Sequence, residues 1–342
     1  MILPADATKA YQSALRGATV CVTGGAGFIG SHLVETLVSL GAETRVLDDL
    51  SSGRRETLEA IPGLRWEAGS ILDDTHLNRA VRGCSVVFHL AAVASVPESL
   101  DRPERAVQVN TVGTMRVLQA ARRNGVKRVV YAASSSAYGN AAQLPCRESQ
   151  APDPGSPYAA AKLAGEHLMR AWSDSFGLGT ICLRYFNVFG PRQRADSAYA
   201  AVIARWMDAL RRGEPVVIHG DGHQTRDFAF VSNAVHANLL AATAPAALTG
   251  QSVNVGSGRA TSLLDLLAVL ERVTGRRAER RQEAERPGDV RNSCADLTQA
   301  ESLLGYRPVT SLEEGLSILA AAPIAEARAP APPPAGSRHA GA

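Results

Sequence analysis

The sequence predicts an α/β protein with a doubly wound parallel sheet and a smaller mixed α/β domain at the carboxyl edge of that sheet. Three observations lead to this prediction. Short apolar, β-branched runs alternate with segments of helical periodicity up to about residue 189, a glycine-rich turn follows the first run, and 45% of the 342 residues are hydrophobic. Such alternation is typical of parallel sheets, because parallel neighbours need crossovers and each crossover helix covers a face of the sheet.

The first strand–helix–strand unit follows a short predicted N-terminal helix. Residues 18–23 form an apolar, β-branched run that predicts a buried strand, and glycines end it. The next segment has an apolar helical face made of Phe28, Ile29, Leu33, Leu37 and Leu40. Gly41 ends this helix, and residues 44–48 predict the second strand.

The same alternation predicts the remaining strands and the division into domains. Further strands are predicted at residues 64–68, 85–90, 128–133 and 180–184, and after residue 190 the looser pattern adds 215–219 and 251–255. We assign residues 1–17 to an N-terminal extension, 18–189 with 229–256 to the sheet domain, 190–228 with 257–320 to the smaller domain, and 321–342 to a tail. The tail is rich in proline and alanine, a composition that predicts disorder.

Charge and cysteine content argue against several classes of protein. The chain has 36 Lys and Arg against 33 Asp and Glu, a net charge of +3, and no basic run interleaved with aromatic residues, so we expect no nucleic-acid partner. The five cysteines stand far apart without a C-x-x-C pair, which favours free thiols and no metal site. We find no secretion signal and no run of about 18 apolar residues, and therefore expect a cytoplasmic protein without a membrane association.

A glycine-rich turn joins the first strand to the first helix of the sheet domain. Its sequence, Gly24-Gly-Ala-Gly-Phe-Ile-Gly30, fits both G-x-G-x-x-G and G-x-x-G-x-x-G. Glycines there permit close approach of a pyrophosphate to the backbone, and the helix N-terminus offers free N–H groups. Asp48 ends the second strand, about 20 residues after the glycine turn. A carboxylate at that separation accepts hydrogen bonds from ribose hydroxyls and repels a 2′-phosphate. This pattern predicts a dinucleotide site that prefers NAD to NADP.

A second group of residues is suited to proton transfer. Tyr158 and Lys162 stand four residues apart near the start of a predicted helix, so their side chains share one face. A nearby ammonium and a nicotinamide cation would lower the pKa of the phenol from about 10 toward working pH, which makes Tyr158 a candidate base. The run Ser134-Ser-Ser-Ala-Tyr-Gly139 follows the fifth strand and places hydroxyl groups at the carboxyl edge, where open α/β sheets bind ligands.

Together these motifs resemble the extended short-chain dehydrogenase/reductase superfamily, and within it the 4-epimerases of UDP-hexoses and UDP-N-acetylhexosamines. The resemblance covers about residues 18–319 and includes the glycine turn, Asp48, His89-Leu-Ala-Ala92, Asn110, the serine run, Tyr158 with Lys162, and Arg184-Tyr-Phe-Asn-Val-Phe-Gly-Pro191. It implies a Rossmann-type domain that binds NAD, a UDP-sugar substrate, and 4-epimerisation through a transient 4-keto sugar.

The resemblance also implies roles for individual residues. Tyr158 would be the base, and Lys162 would hold the nicotinamide ribose and lower the pKa of the phenol. Ser134 matches the catalytic Ser/Thr of the family, but Ser135 remains a competitor because the serines are consecutive. The cofactor would be bound by Gly24, Gly27, Phe28, Ile29, Gly30, Asp48, Ser70, Ile71, Leu90, Ala91, Ala92, Asn110, Tyr158, Lys162 and Tyr185. Ser70 departs from the family pattern, in which an Asp contacts the adenine amino group.

On the substrate side, the resemblance implies a clamp for the diphosphate and ribose in which arginines make bidentate contacts to phosphate. The substrate would be bound by Ser134, Ser136, Tyr158, Asn187, Val202, Arg226, Arg286, Asp289 and Ser293. Ser293 stands where related epimerases border the C2 substituent of the hexose. Its small side chain favours UDP-N-acetylglucosamine and UDP-N-acetylgalactosamine, or their uronic acids, while still admitting UDP-glucose and UDP-galactose.

Two other functions compete with 4-epimerisation. A nucleotide-sugar dehydratase, decarboxylase or reductase would use the same fold, but dehydration requires carboxylates after the catalytic serine, where Ser135-Ser-Ala137 stand. A non-catalytic NAD-binding regulator would not need Tyr158 and Lys162. The fold also implies a homodimer joined through a four-helix interface, formed by two long helices over about residues 98–124 and 158–176 of each chain.

Overall fold

A parallel sheet forms the centre of the protein. The structure is a computed structural model that describes residues 3–140, 143–194, 202–285 and 290–322. The strands in these ranges are β1 (Thr19–Thr23), β2 (Glu43–Asp48), β3 (Arg65–Ala68), β4 (Val86–His89), β5 (Arg128–Ser134), β6 (Gly179–Tyr185), β7 (Asn187–Phe189), β8 (Val216–His219), β9 (Thr225–Arg226), β10 (Phe228–Phe230), β11 (Thr249–Val255), β12 (Thr261–Ser262) and β13 (Arg280–Glu283).

Helices connect most of these strands. The α-helices are α1 (Ala5–Leu15), α2 (Phe28–Ser39), α3 (Arg55–Glu59), α4 (Asp74–Val81), α5 (Val96–Asp101), α6 (Pro103–Val107), α7 (Thr114–Arg123), α8 (Pro157–Phe176), α9 (Val202–Arg212), α10 (Val231–Thr243), α11 (Leu263–Thr274), α12 (Thr298–Leu304) and α13 (Leu312–Ala321). A π-helical turn spans Gln108–Gly113, and a 3₁₀ turn spans Ser135–Tyr138. Among the described residues, no helix combines the length and the apolar character needed to cross a membrane.

The order of strands in the central sheet creates a crevice at its carboxyl edge. Seven strands pair in the order β11-β6-β5-β4-β1-β2-β3, and every neighbouring pair is parallel. The chain moves outward from β1 to β3 and then returns to β4 beside β1, so the direction of winding reverses between β1 and β4. Ligands of open α/β sheets bind at such a reversal. The predicted doubly wound fold is confirmed.

Apolar cores cover both faces of this sheet. Val20 and Val22 of β1 belong to one core and Cys21 to the other, because successive residues of a strand point to opposite faces. The first core includes Leu33 and Leu37 of α2, and the second includes Met169 of α8. Strands buried on both faces read as continuous apolar runs, which is why residues 18–23 and 128–133 were recognisable in the sequence.

A third core lies where the sequence predicted a smaller mixed α/β domain. It is formed by α9, α11 and α13 with β8 and β10, and Trp206 and Phe228 are among its buried residues. Phe28 and Ile29, at the start of α2, pack against it. Since α2 begins just beyond the carboxyl end of β1, this core borders the crevice of the central sheet.

One predicted helix differs from the structure. The segment over residues 98–124 is not a single long helix: it is divided into α5, α6, the π-helical turn and α7. The first break is at Arg102, whose φ of −137° and ψ of 66° are not helical. The next residue is Pro103, which lacks an N–H group and disfavours the helical conformation of the residue before it.

Candidate active site

The glycine turn approaches a neighbouring loop so closely that side chains are excluded. Gly24 has a φ of +74°, and a Cβ on it would lie 2.6 Å from the backbone nitrogen of Ala91. A Cβ on Gly30 would overlap the carbonyl oxygen of Gly24. Gly27 precedes the first turn of α2 and offers no side chain to cap it, so the backbone N–H groups there are available to an anion. This cradle of bare backbone fits the pyrophosphate of a dinucleotide.

Asp48 lies beside the glycine turn and holds part of it. One carboxylate oxygen accepts a hydrogen bond of 2.9 Å from the backbone of Ala26, and the other accepts one of 2.8 Å from Leu50. Burial raises the pKa of this carboxyl group, and the two backbone hydrogen bonds partly offset that effect. Each oxygen keeps a free lone pair, so the carboxylate fits the predicted contact with ribose hydroxyls.

The remaining residues predicted for the cofactor lie around the same crevice. Ser70 accepts a hydrogen bond from the backbone of Leu72, so its hydroxyl helps form a local turn and retains its proton. Ile71 is buried against Gly113. Leu90 and Ala91 pack against the cores on opposite faces of the sheet, and Ala92 follows them in the same loop. The carboxyl end of β4 thus brings Leu90, Ala91 and Ala92 next to the glycine turn.

Asn110 closes the loop that follows Ala92. Its side-chain oxygen accepts a hydrogen bond of 2.9 Å from the backbone nitrogen of Val93, and its side-chain nitrogen donates one of 3.0 Å to the oxygen of Val93. Asn110 is buried in the π-helical turn. The structure therefore gives it a supporting role for the loop, and its support of the cofactor stays a prediction.

Tyr158 and Ser134 meet at the carboxyl edge. Tyr158 lies in the first turn of α8, and Ser134 is the last residue of β5. Burial raises the pKa of the Tyr158 phenol, and a hydrogen bond with the Ser134 side chain acts against this rise. Of the two serines left open by the sequence, Ser134 is the one whose side chain affects the pKa of the Tyr158 phenol. Ser136 donates its own hydroxyl to Ser134 at 2.9 Å.

Lys162 lies one helical turn beyond Tyr158 and is buried. Its Nζ stands 4.5 Å from the centre of the Tyr131 ring. Burial lowers the pKa of Lys162 to about 7, although the carboxylate of Glu166 acts in the opposite direction. The expected lowering of the Tyr158 pKa is therefore not produced by the polypeptide's own groups. Burial disfavours the phenolate and the ammonium together, because each loses hydration.

A pocket beside the third core, lined by β7 and by residues of the smaller domain, contains three of the predicted substrate residues. These three are Asn187, Val202 and Arg226. The other lining side chains include Trp206, His219 and Phe228. Asn187 belongs to β7, directly after the strand that ends in Tyr185. The pocket has apolar walls and a few polar groups, which is the usual character of a small-molecule site.

Of the other predicted residues, Ser293 lies next to this pocket, Tyr185 is buried in the first core, and two lie outside the described residues. The backbone nitrogen of Ser293 donates a hydrogen bond of 3.2 Å to the oxygen of Thr225, next to Arg226. Tyr185 is buried, and its phenol oxygen accepts a hydrogen bond of 2.6 Å from Asn238. Arg286 and Asp289 lie outside the residues that the structure describes.

The sequence did not indicate a buried ion pair behind Lys162. Arg184 of β6 makes three hydrogen bonds of 2.8 to 3.2 Å to the carboxylate of Glu166 on α8, and the two side chains are each only 6% exposed. Ser252 donates a further hydrogen bond of 2.7 Å to the same carboxylate. Helical spacing places Glu166 on the face of Lys162, but the partner on β6 could not be identified from spacing.

The chain is similar to several known proteins over most of its length. The model of the NAD dependent epimerase/dehydratase family matches residues 20–256. A UDP-glucose 4-epimerase of Mycolicibacterium smegmatis is 40% identical over 301 residues, which cover 86% of this chain and 95% of that protein.

Two solved structures have the same fold. One is a UDP-N-acetylglucosamine 4-epimerase from Methanobrevibacter ruminantium in complex with UDP-N-acetylmuramic acid, with a TM-score of 0.85, 36% identity, and coverage of 90% of this chain and 98% of that one. The other is a UDP-glucuronic acid 4-epimerase from Bacillus cereus in complex with UDP-glucuronic acid and NAD. Its TM-score is 0.81 at 31% identity, and the match covers 88% of this chain and 98% of that one.

Proposed function

Because the chain belongs to the NAD dependent epimerase/dehydratase family, we propose that it is an NAD-dependent enzyme that interconverts UDP-sugars differing in configuration at C4. The similar proteins act as 4-epimerases on UDP-glucose, UDP-N-acetylglucosamine and UDP-glucuronic acid. The observation that carries the proposal is the placement of Tyr158 and Ser134 together at the carboxyl edge, where the Ser134 side chain acts on the pKa of the phenol, one helical turn from the buried Lys162. This is an arrangement for moving a proton to and from a hydroxyl group.

NAD fits the residues around the crevice. The exposed backbone of Gly24 to Gly30 would hold its pyrophosphate, the carboxylate of Asp48 its ribose hydroxyls, and the ammonium of Lys162 the ribose next to the nicotinamide. When bound, NAD supplies the acceptor and donor of the hydride at C4 of the sugar, so that no net oxidation results.

The polypeptide supplies the proton transfer and the orientation. Tyr158 acts in its phenolate form: the phenolate oxygen takes the proton of the C4 hydroxyl, and the resulting phenol later returns that proton to the sugar. Ser134 donates a hydrogen bond that favours the charged form of the phenol. Lys162 lies one turn away on α8, and its charge together with that of the nicotinamide would favour the same form once NAD is bound.

The second half of the proposal concerns binding of the nucleotide. Asn187 and Arg226 line the pocket of the smaller domain, where they can contact the diphosphate, and Trp206 and Phe228 provide apolar walls. A firm grip on the nucleotide with few contacts to the sugar lets the ring turn and present its other face. Ser293 is small enough to admit an acetamido group at C2, so we propose that UDP-N-acetylhexosamines are among the substrates.

Incubation with UDP-glucose, UDP-N-acetylglucosamine and UDP-glucuronic acid in separate reactions tests this function. We expect chromatography to show the C4 isomer of at least one of them, and denaturation of the purified protein to release NAD. A 4-keto product would instead identify a dehydratase, and three unchanged sugars with NAD released would identify a binding protein without turnover.

Ser134→Ala is expected to slow epimerisation roughly 10²-fold, the usual cost of removing one oriented donor. Loss of its hydrogen bond also raises the pKa of Tyr158, so the acidic limb of the rate profile should move to higher pH. The rate is measured from initial velocities between mildly acidic and alkaline pH. Ser135→Ala is the matched control, and equal effects of the two substitutions would contradict the assignment of Ser134.

We propose that two copies of the chain pair through α5, α6, α7 and α8. These helices expose large apolar side chains, with Leu100 62% exposed, Val107 46%, Met115 39% and Phe176 46%. A row of this kind on one helical layer is typical of a surface that is buried in an oligomer.

Leu100→Asp should shift the protein from dimer to monomer at micromolar concentration, because it puts a charge on the most exposed of these apolar side chains within the proposed interface. Sedimentation of the unmodified and substituted proteins measures the shift. Leu144→Asp is the control, since Leu144 is also exposed but lies outside these helices. A monomeric unmodified protein would exclude the interface.

A further inference from the structure

A chain of hydrogen bonds passes through the buried imidazole of His89, beneath the loop that borders the cofactor crevice. His89 is the last residue of β4 and is 1% exposed. Its Nδ1 lies 2.8 Å from the hydroxyl oxygen of Thr23, and its Nε2 lies 3.0 Å from that of Thr114. Thr23 ends β1 directly before the glycine turn, and Thr114 begins α7. One side chain therefore links the carboxyl end of β1 to the start of α7.

The partners determine which nitrogen of His89 carries the proton. Thr114 donates its only hydroxyl proton to the carbonyl oxygen of Asn110 at 2.6 Å, so it can only accept from Nε2. Thr23 accepts a hydrogen bond of 3.3 Å from the backbone nitrogen of Ala91, which leaves its proton for Nδ1. The imidazole is consequently neutral, with its proton on Nε2.

The surroundings of His89 favour this neutral form. The imidazole ring lies 5.5 Å from the ring of Tyr131, on whose face the Lys162 ammonium stands. Burial and the nearby charge of Lys162 lower the pKa of His89 to about 3. A second proton on Nδ1 would also reverse the hydrogen bond with Thr23, whose hydroxyl would then have to accept instead of donate.

Both ends of the chain reach the loop of Ala91 to Val93. One end is the backbone N–H of Ala91. The other is Asn110, whose side chain makes two hydrogen bonds to the backbone of Val93. The position of this loop sets the width of the crevice, because a Cβ on Gly24 would already lie 2.6 Å from Ala91.

We propose that His89 is a positioning residue for the cofactor site, which as a neutral imidazole protonated on Nε2 holds the Ala91–Val93 loop at the distance from the glycine turn that NAD requires. The proposal rests on NAD as the cofactor and is independent of which sugar is converted. His89, Thr23 and Thr114 act through the loop and need not touch the reacting atoms.

Thr23→Val and Thr114→Val test the proposal, because each keeps the branched shape and removes one hydroxyl from the chain. We expect each to weaken NAD binding about tenfold, as measured by equilibrium dialysis with NAD. The double variant should lose much less than the product of the two effects, because either substitution already interrupts the chain.

Thr180→Val is the matched control. Thr180 is equally buried and donates a hydrogen bond of 2.8 Å to Met169, but it lies at the amino end of β6. We expect the affinity of this variant for NAD to stay within about twofold of the affinity of the unmodified protein. Equal affinities of Thr23→Val, Thr114→Val and Thr180→Val would overturn the proposal.

The state of His89 is measured directly by nitrogen-15 NMR of the imidazole in the unmodified protein. We expect the spectrum of a neutral ring protonated on Nε2 from about pH 6 to about pH 8. A proton on Nδ1, or a charged ring in that range, would overturn the proposal even if the valine variants do not fold. Failure of the unmodified protein to bind NAD would instead refute the proposed function.

Discussion

Tyr158→Phe is expected to reduce the rate of 4-epimerisation by about 10³-fold, within the usual range for loss of a positioned acid–base group. The substitution keeps the ring and removes only the phenol oxygen, the group whose pKa the Ser134 side chain affects. Without that oxygen, the proton of the C4 hydroxyl has no acceptor on α8, while the residues proposed to bind NAD and the nucleotide are unchanged. Initial rates of UDP-sugar conversion, followed by chromatography, measure the effect.

Tyr11→Phe provides a matched control for this experiment. Tyr11 is also buried, and its phenol hydrogen-bonds at 3.0 Å with His236, in the packing between α1 and α10. We expect this variant to lose about 1 kcal/mol of stability and to keep the parental rate. An undiminished rate in Tyr158→Phe would remove Tyr158 from the mechanism, and a change in NAD content would mean that the variant had lost more than a proton acceptor.

Glu166→Gln should lower the free energy of unfolding by about 3–5 kcal/mol, the usual cost of breaking a buried ion pair from one side. The amide cannot reproduce the paired contacts of the carboxylate with Arg184, so a buried guanidinium is left without its counter-charge. The carboxylate also supports the positive charge of Lys162, and its loss should lower the pKa of Lys162 further. Urea unfolding measures the stability: the midpoint of the transition should fall while the dependence of the unfolding free energy on urea concentration stays the same.

Asp174→Asn is the control on the same helix. Asp174 pairs with Arg170 at 2.7 Å, but both side chains are more than half exposed. Water screens such a pair, so we expect its loss to change stability by less than about 0.5 kcal/mol. If the two substitutions had similar effects, the pair of Glu166 and Arg184 would not be the buried support that its geometry indicates.

The strands of the central sheet were predictable because their signals are local. The sequence predicted a strand at residues 85–90, and the structure has it at Val86–His89. Apolar β-branched runs ended by glycines depend only on neighbouring residues, and a strand buried on both faces makes such runs conspicuous. The broken helix was also signalled locally, by Pro103, and the prediction of one long helix over residues 98–124 gave that signal too little weight.

The choice between Ser134 and Ser135 required the tertiary structure. Consecutive residues of a strand point to opposite sides, and only the register of β5 against β6 and the end of the strand at Ser134 decide which hydroxyl meets Tyr158. The full lining of the pocket could likewise be identified only from the tertiary structure. Asn187 and Arg226 matched a known pattern, whereas Trp206 and His219 have no motif and join them only through packing.

By itself, the sequence determined where the seven strands of the central sheet lie along the chain, the glycine turn with Asp48, and the helical face that Tyr158 shares with Lys162. Each of these depends on residue spacing along one element or across one connection. Only the tertiary structure decided that Thr23, His89 and Thr114 form one chain of hydrogen bonds, and that Glu166 pairs with Arg184. Contacts between distant segments depend on how the elements pack, and no periodicity in the sequence records that packing.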